Sequence, residues 1–181
     1  MNDTRVLPAR VEGRKKHNDA NEEGAKTEIF FLKPCAAPNE WTALVKPGRK
    51  LPEGTKVIIG KEIEITVCDR LEDGLRKIKF ADGDDPSAII HKYGETPLPH
   101  YITESTAEPE RYQTVYAKRE KENSAAAPTA GLHFTPELLK KIEAGGTQLA
   151  YVTLQVGLGT FRPVKTEDIS EHIMHREYCE I

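Results

Sequence analysis

The sequence predicts an antiparallel β-barrel or sandwich over its first hundred residues and part of an α/β unit over its last seventy. Two observations carry this. Short runs rich in Val, Ile, Phe, Trp and Thr, parted by tight-turn sequences, fill the first stretch. A capped helical segment followed by a nearly continuous apolar run lies in the second.

The expected strands are residues 6–14, 27–34, 40–45, 56–59, 62–69 and 75–80. Lys46-Pro47-Gly48, Leu51-Pro52-Glu53-Gly54, Glu72-Asp73-Gly74 and Asp82-Gly83-Asp84 are turn signals between and after them. Ile63, Ile65 and Val67 alternate with Glu62, Glu64 and Thr66, the period of a half-buried strand. Residues 17–24 are polar apart from Ala20 and read as a mobile loop. Asp85-Pro86 opens a short helix, with Asp as N-cap and Pro at the first helical position. Pro97, Pro99 and residues 103–109 form a connector and the candidate boundary. Residues 111–118 and 136–143 read as helices. Thr135 caps the second, Leu138, Leu139 and Ile142 give it an apolar face, and Gly145-Gly146 stops it. Residues 149–156 read as a strand covered on both faces.

Composition narrows the function classes. Hydrophobic residues make up 38% of the 181, and 26 Lys and Arg against 29 Asp and Glu give a net charge of -3. This excludes a generally basic nucleic-acid coat protein and permits a local basic face. The charge is polarised: 12 basic and 8 acidic residues in 1–61, 5 and 12 in 62–110, 9 and 9 in 111–181. No apolar run is long enough for a membrane span, and Met-Asn-Asp-Thr-Arg lacks the apolar region of a secretory signal. Cys35, Cys68 and Cys179 form no C-x-x-C pair, so they read as thiols without chemistry in a reducing cytoplasm.

Three stretches place small and polar residues where packing does not require them. Ala127-Pro128-Thr129-Ala130-Gly131-Leu132-His133-Phe134-Thr135 leads into a helix N-terminus, where free N–H groups favour an anion and His133 could titrate. It reads equally as a tight connection. Gln155-Val156-Gly157-Leu158-Gly159-Thr160-Phe161-Arg162-Pro163 follows the apolar run, as site loops do in α/β sheets. Its G-x-G completes no nucleotide fingerprint, and it reads also as a glycine turn with a surface arginine. His172-Ile173-Met174-His175-Arg176-Glu177 offers an H-x-x-H with a nearby carboxylate. Metal binding, acid–base work and plain surface histidines are all open for it, and a third zinc ligand is missing.

Together and in this order, these stretches resemble the S-adenosylmethionine:tRNA ribosyltransferase-isomerase family of queuosine biosynthesis. The matching text begins with Asn2-Asp3-Thr4-Arg5-Val6-Leu7-Pro8-Ala9-Arg10, Pro97-Leu98-Pro99-His100-Tyr101-Ile102 and Arg111-Tyr112-Gln113-Thr114-Val115-Tyr116-Ala117. It continues through Ala126 to Thr135 and Val156 to Val164, and ends with His172, Met174-His175, Glu177 and Tyr178. The sequence departs from the family pattern at Gln155, often His, at Asn123, often Gly, and at His100, often Pro. Gln155 can hydrogen-bond but cannot titrate.

The resemblance implies a partial, barrel-like α/β core with an inserted antiparallel β-barrel domain, the insert over 4–98 and an incomplete section of the core over 99–181. It implies transfer and isomerisation of the ribosyl part of S-adenosylmethionine onto 7-aminomethyl-7-deazaguanine in tRNA, giving epoxyqueuosine and releasing adenine and methionine. S-adenosylmethionine is then a co-substrate, with no prosthetic group and no metal. The sulfonium acidifies the adjacent 5′ carbon and adenine must leave with a proton, so His133, His175 and Glu177 are the catalytic candidates. Thr129, Gly131, Phe134, Gln155, Gly157, Gly159, Thr160 and Arg162 are the substrate-binding candidates, with Arg162 suited to a carboxylate or phosphate. Family members are roughly twice as long, so this piece is expected to have little activity alone. Two other readings compete: a non-catalytic RNA-binding β-barrel module, motivated by Arg14-Lys15-Lys16, and a generic nucleotide-binding enzyme.

Overall fold

The computed structural model describes residues 1–17, 24–99, 102, 107–161, 166–172 and 174–181. Most of the expected 17–24 loop, along with His100 and Arg162, lies outside the described residues. The chain divides into two compact units, residues 8–97 and residues 1–7 with 98–181.

Strand β1 (Arg5–Val6) belongs to the second of these. The other unit contains β2 (Arg10–Lys15), β3 (Lys26–Pro34), β4 (Glu40–Lys46), β5 (Lys56–Ile59), β6 (Ile63–Arg70), β7 (Arg76–Phe80), α1 (Pro86–Tyr93) and β8 (Gly94–Glu95). Its strands run in the order β3-β4-β7-β6-β5-β2, and β2 pairs back onto β3. A closed six-strand antiparallel barrel results, with no open edge except where β8 adds briefly to β2 at Arg10 and Val11. Strand alternation fills the interior: Val11, Ile29, Phe31, Val57, Ile59, Ile65, Val67, Ile78 and Phe80 are all buried. Phe31 packs on Phe80 with ring centres 5.6 Å apart and edge-on to Trp41 at 6.1 Å. Asp73 and Gly74, at φ 59° and 79°, supply the two left-handed residues that turn β6 into β7.

The expected strand over 6–14 is two strands. Pro8 has no N–H to give to a ladder, and the chain passes there from one unit to the other. Helix α1 forms as expected, with the Asp85 carboxylate accepting from the Ala88 N–H at 3.1 Å.

In the second unit β1 pairs in parallel with β9 (Glu122–Ser124). Helix α2 (Pro136–Ala144) starts from Thr135, whose hydroxyl accepts from Leu138 N at 3.2 Å. Strand β10 (Thr153–Leu154) pairs antiparallel with β11 (Cys179–Glu180). Single 3₁₀ turns cover Pro109–Tyr112, Arg119–Lys121, Thr129–His133, Leu158–Phe161 and Ile169–Glu171. A small core joins Val6, Tyr112 and Ala127 to Leu98 and Leu132.

Two expected elements in this unit differ from expectation. The helix over 111–118 is replaced by the end of one 3₁₀ turn and a single turn at Val115-Tyr116, where Ala117 N–H donates to Thr114 O at 3.0 Å. The Gln113 side chain grips the backbone of Val6, accepting from its N–H at 2.9 Å and donating to its carbonyl at 3.0 Å. The strand over 149–156 shrinks to Thr153–Leu154, its backbone being shared between the backbone of the Met1–Asp3 segment and side chains. Leu154 N–H donates to the Asn2 carboxamide at 3.0 Å and Val156 N–H to the Ser124 hydroxyl at 2.9 Å. Tyr151 stands 39% exposed instead of covered. No helix is long and apolar enough to cross a membrane among the described residues.

Candidate active site

The site candidates sit on loops that have little regular structure of their own, so the question is what fixes them. The answer is the Asn2-Asp3-Thr4 segment. Asn2 behaves as a false strand: its side chain accepts from Leu154 N–H and donates to Leu154 O, both at 3.0 Å. Asp3 N–H donates to Val152 O at 3.0 Å. The Thr4 and Ser124 hydroxyls lie 2.6 Å apart, and Ser124 accepts from Val156 N–H. Ala125 N–H donates to Val156 O at 2.7 Å. One polar network thus ties the Ala125–Ala127 segment to the strand that feeds the Gly157–Gly159 turn.

Asp3 is the charged centre of this network and only 3% exposed. Its carboxylate accepts from the Thr153 hydroxyl at 2.6 Å and pairs with Lys118 Nζ at 2.9 Å. Burial pushes the Asp3 carboxyl up, but Thr153 and Lys118 outweigh it and hold it below the ordinary aspartate value. Lys118 in turn lies over the Tyr151 ring, 5.8 Å from its centre.

Beyond the strand, Gly157 N–H donates to Glu177 Oε1 at 2.8 Å. The same oxygen stands 3.5 Å from His175 Nε2. Gln155 N–H donates to Tyr178 O at 2.9 Å, which brings the 175–178 segment alongside. His175 also packs over Gly159 so closely that a Cβ there would overlap its ring. Glycine at 159 is therefore a space requirement. Glu177, 13% exposed, orients a half-exposed histidine. His172 and residues 174–177 lie outside any helix. Among the described residues no group of three His, Cys, Asp or Glu is placed to hold a metal ion.

The Ala127–Thr135 loop forms a second cluster. Gly131 is buried against the Tyr116 hydroxyl and Thr114, leaving no room for a Cβ. Tyr116 stands between Phe134, at 6.2 Å, and Tyr151, at 6.1 Å, between ring centres. Burial raises the Tyr116 phenol above its ordinary value, against an opposing hydrogen bond with Thr114. His133 is exposed, with Nδ1 3.2 Å from Ala130 O, and no hydrogen bond or ion pair joins it to Glu177 or His175 among the described residues. Thr129 and Thr160 are exposed. The α2 N-terminus, expected to favour an external anion, carries Glu137 of its own. A hydrogen bond to its own N–H and one with Thr135 hold that carboxyl low.

Of the candidates read from the sequence, the structure brings His175 and Glu177 beside Gly157 and Gly159. Sequence reasoning assigned no role to Asn2, Asp3, Thr4, Ser124, Tyr116 or Lys118. The available signal was a run of Asn, Asp and Thr that pairs with nothing local.

The family model described as "Queuosine biosynthesis protein" matches residues 1–181. Curated relatives named "S-adenosylmethionine:tRNA ribosyltransferase-isomerase" include one from Natranaerobius thermophilus, 45% identical over all of this chain and 51% of its own length. Another, from Moorella thermoacetica, is 47% identical over 98% of this chain and 50% of its own. A third, from Acaryochloris marina, is 46% identical over all of this chain and 49% of its own. This chain spans about half the length of the curated relatives it matches. A crystal structure of S-adenosylmethionine tRNA ribosyltransferase from Thermotoga maritima is 31% identical, covering 87% of this chain and 40% of that one, with a TM-score of 0.40.

Proposed function

The chain belongs to the queuosine biosynthesis protein family, and from that premise we propose that it carries part of the site where the ribosyl group of S-adenosylmethionine is transferred and isomerised onto 7-aminomethyl-7-deazaguanine in tRNA. Epoxyqueuosine-tRNA, adenine and methionine are the products. S-adenosylmethionine is a co-substrate here, with no prosthetic group. The names of the relatives support the reaction class. A single geometric observation supports the residues: Glu177 is held by Gly157 N–H and faces His175 beside the glycine turn.

In this reading His175 is the proton carrier. Its Nε2 faces the carboxylate, so Nδ1 is the nitrogen free to work. Neutral imidazole takes the proton that the sulfonium makes acidic at C5′, and imidazolium later returns a proton to the departing adenine. Glu177 is a positioning residue: it fixes the ring and stabilises the imidazolium. Thr129, Gly131, Phe134, Gln155, Gly157, Gly159, Thr160 and Arg162 contribute substrate binding, and His133 is a second catalytic candidate.

We also read the barrel as an insert in an incomplete α/β core and the enzyme as cytoplasmic. The support for the first is chain order, since residues 1–7 and 98–181 make one unit around 8–97.

The test is kinetic, in a chain of full family length carrying these residues. His175→Ala is expected to lower kcat by about 10²–10⁴-fold. Glu177→Gln is expected to lower it by about 10–100-fold with KM for S-adenosylmethionine unchanged. Near-normal turnover in both variants sinks the assignment.

A further inference from the structure

We propose that one end of the barrel, made by the close of β2, the start of β5 and the β4–β5 connection, docks the phosphodiester backbone of an RNA; the choice of RNA rests on the tRNA reading above. Lys15 Nζ donates to Lys50 O at 3.3 Å, and Lys16 N–H donates to Lys56 O at 2.8 Å. These bonds fasten the end of β2 to both partners. Lys46, Arg49 and Lys50 are exposed on the connection, and none pairs with a carboxylate among the described residues. Lys16 and Lys56 both reach Glu64, each at 2.5 Å, so one carboxylate serves two ammonium groups. On these segments six cations thus meet Glu64 and the turn residue Glu53, with Asp69, Glu72 and Asp73 following on the β6–β7 turn at the same end. Glu28 lies opposite Lys46 in register but approaches Arg10 at 3.9 Å.

The composition of the patch selects its partner. Every exposed large hydrophobic side chain among the described residues belongs to the other unit. The barrel end therefore offers no apolar wedge for a membrane and no aromatic or aliphatic anchor for a protein interface. What it offers is an array of point charges on a rigid rim, which suits repeated phosphates and reads no base.

The probe is an unmodified tRNA transcript titrated against the 181-residue chain by fluorescence anisotropy, at salt from about 50 to 200 mM. The unsubstituted chain is expected to bind with a steep negative log–log salt slope. Combining Lys46→Gln, Arg49→Gln and Lys50→Gln is expected to flatten that slope by about 2–3 and weaken low-salt binding by about 10–100-fold. Lys61→Gln, on the turn after β5, changes neither. Thermal unfolding is unchanged in all, because the replaced groups are solvated. No salt-dependent binding by the unsubstituted chain, an unaltered slope in the triple variant, or equal competition by poly-glutamate at matched charge overturns the proposal. S-adenosylmethionine's effect on thermal unfolding separates the two readings: if that shift survives while RNA binding fails, this surface is wrong and the proposed reaction stands.

Discussion

Asp3 shows how a buried carboxylate holds together the loops that carry the candidate site. The network it centres holds the strand end that aims the Gly157–Gly159 turn. Its carboxyl is depressed in the folded state, so its contribution is fully present above the unfolded value, about 3.9, and is lost as pH falls through the lower folded value. Asp3→Asn is expected to cost about 1–3 kcal/mol at pH 7. The gap in Tm between the two chains should close below about pH 4, and a gap that persists to pH 2 contradicts the pairing. Lys118 is half exposed, which keeps the figure below that of a fully buried pair. Gly131→Ala is expected to cost about 1–3 kcal/mol in chemical denaturation, because the Tyr116 hydroxyl occupies the space. The proximity of Glu177 and His175 was legible as a short motif. The weight on Asp3 was not, because its partners Lys118 and Thr153 are more than a hundred residues away.

At the scale of elements, what was legible was what hydrogen-bonds locally. The barrel hairpins follow from alternation and turn residues, and β6 buries Ile65 and Val67 while Glu64 and Thr66 point away. Helices α1 and α2 follow from Asp85-Pro86 and Thr135-Pro136. The two misread elements are bonded to distant parts of the chain, Gln113 by its side chain to the Val6 backbone and Leu154 by its backbone to the Asn2 side chain. Apolar periodicity carries no record of such bonds. Helix α2 has no fully buried residue, so its cap matters more than usual. Thr135→Ala is expected to destabilise it by about 1 kcal/mol. Faster amide exchange confined to Leu138 and Leu139 would show it, and exchange unchanged there contradicts it.

For the whole molecule, a net charge of -3 conceals a barrel end with six cations and a loop-rich unit whose ion pairs join distant parts of the chain, such as Arg5 with Glu110 and Lys121 with Glu180. The fold places its regularity in the barrel and its candidate site residues in loops held largely by side-chain hydrogen bonds. The claim that joins these parts is ribosyl transfer from S-adenosylmethionine, and it differs from methyl transfer in what leaves. The most direct measurement is product analysis with a chain of full family length carrying these residues, S-adenosylmethionine and tRNA bearing 7-aminomethyl-7-deazaguanine. Adenine and methionine released in step with modified tRNA, and lost with His175→Ala, is the expected result. S-adenosylhomocysteine in place of adenine, or full adenine release by His175→Ala, would contradict it.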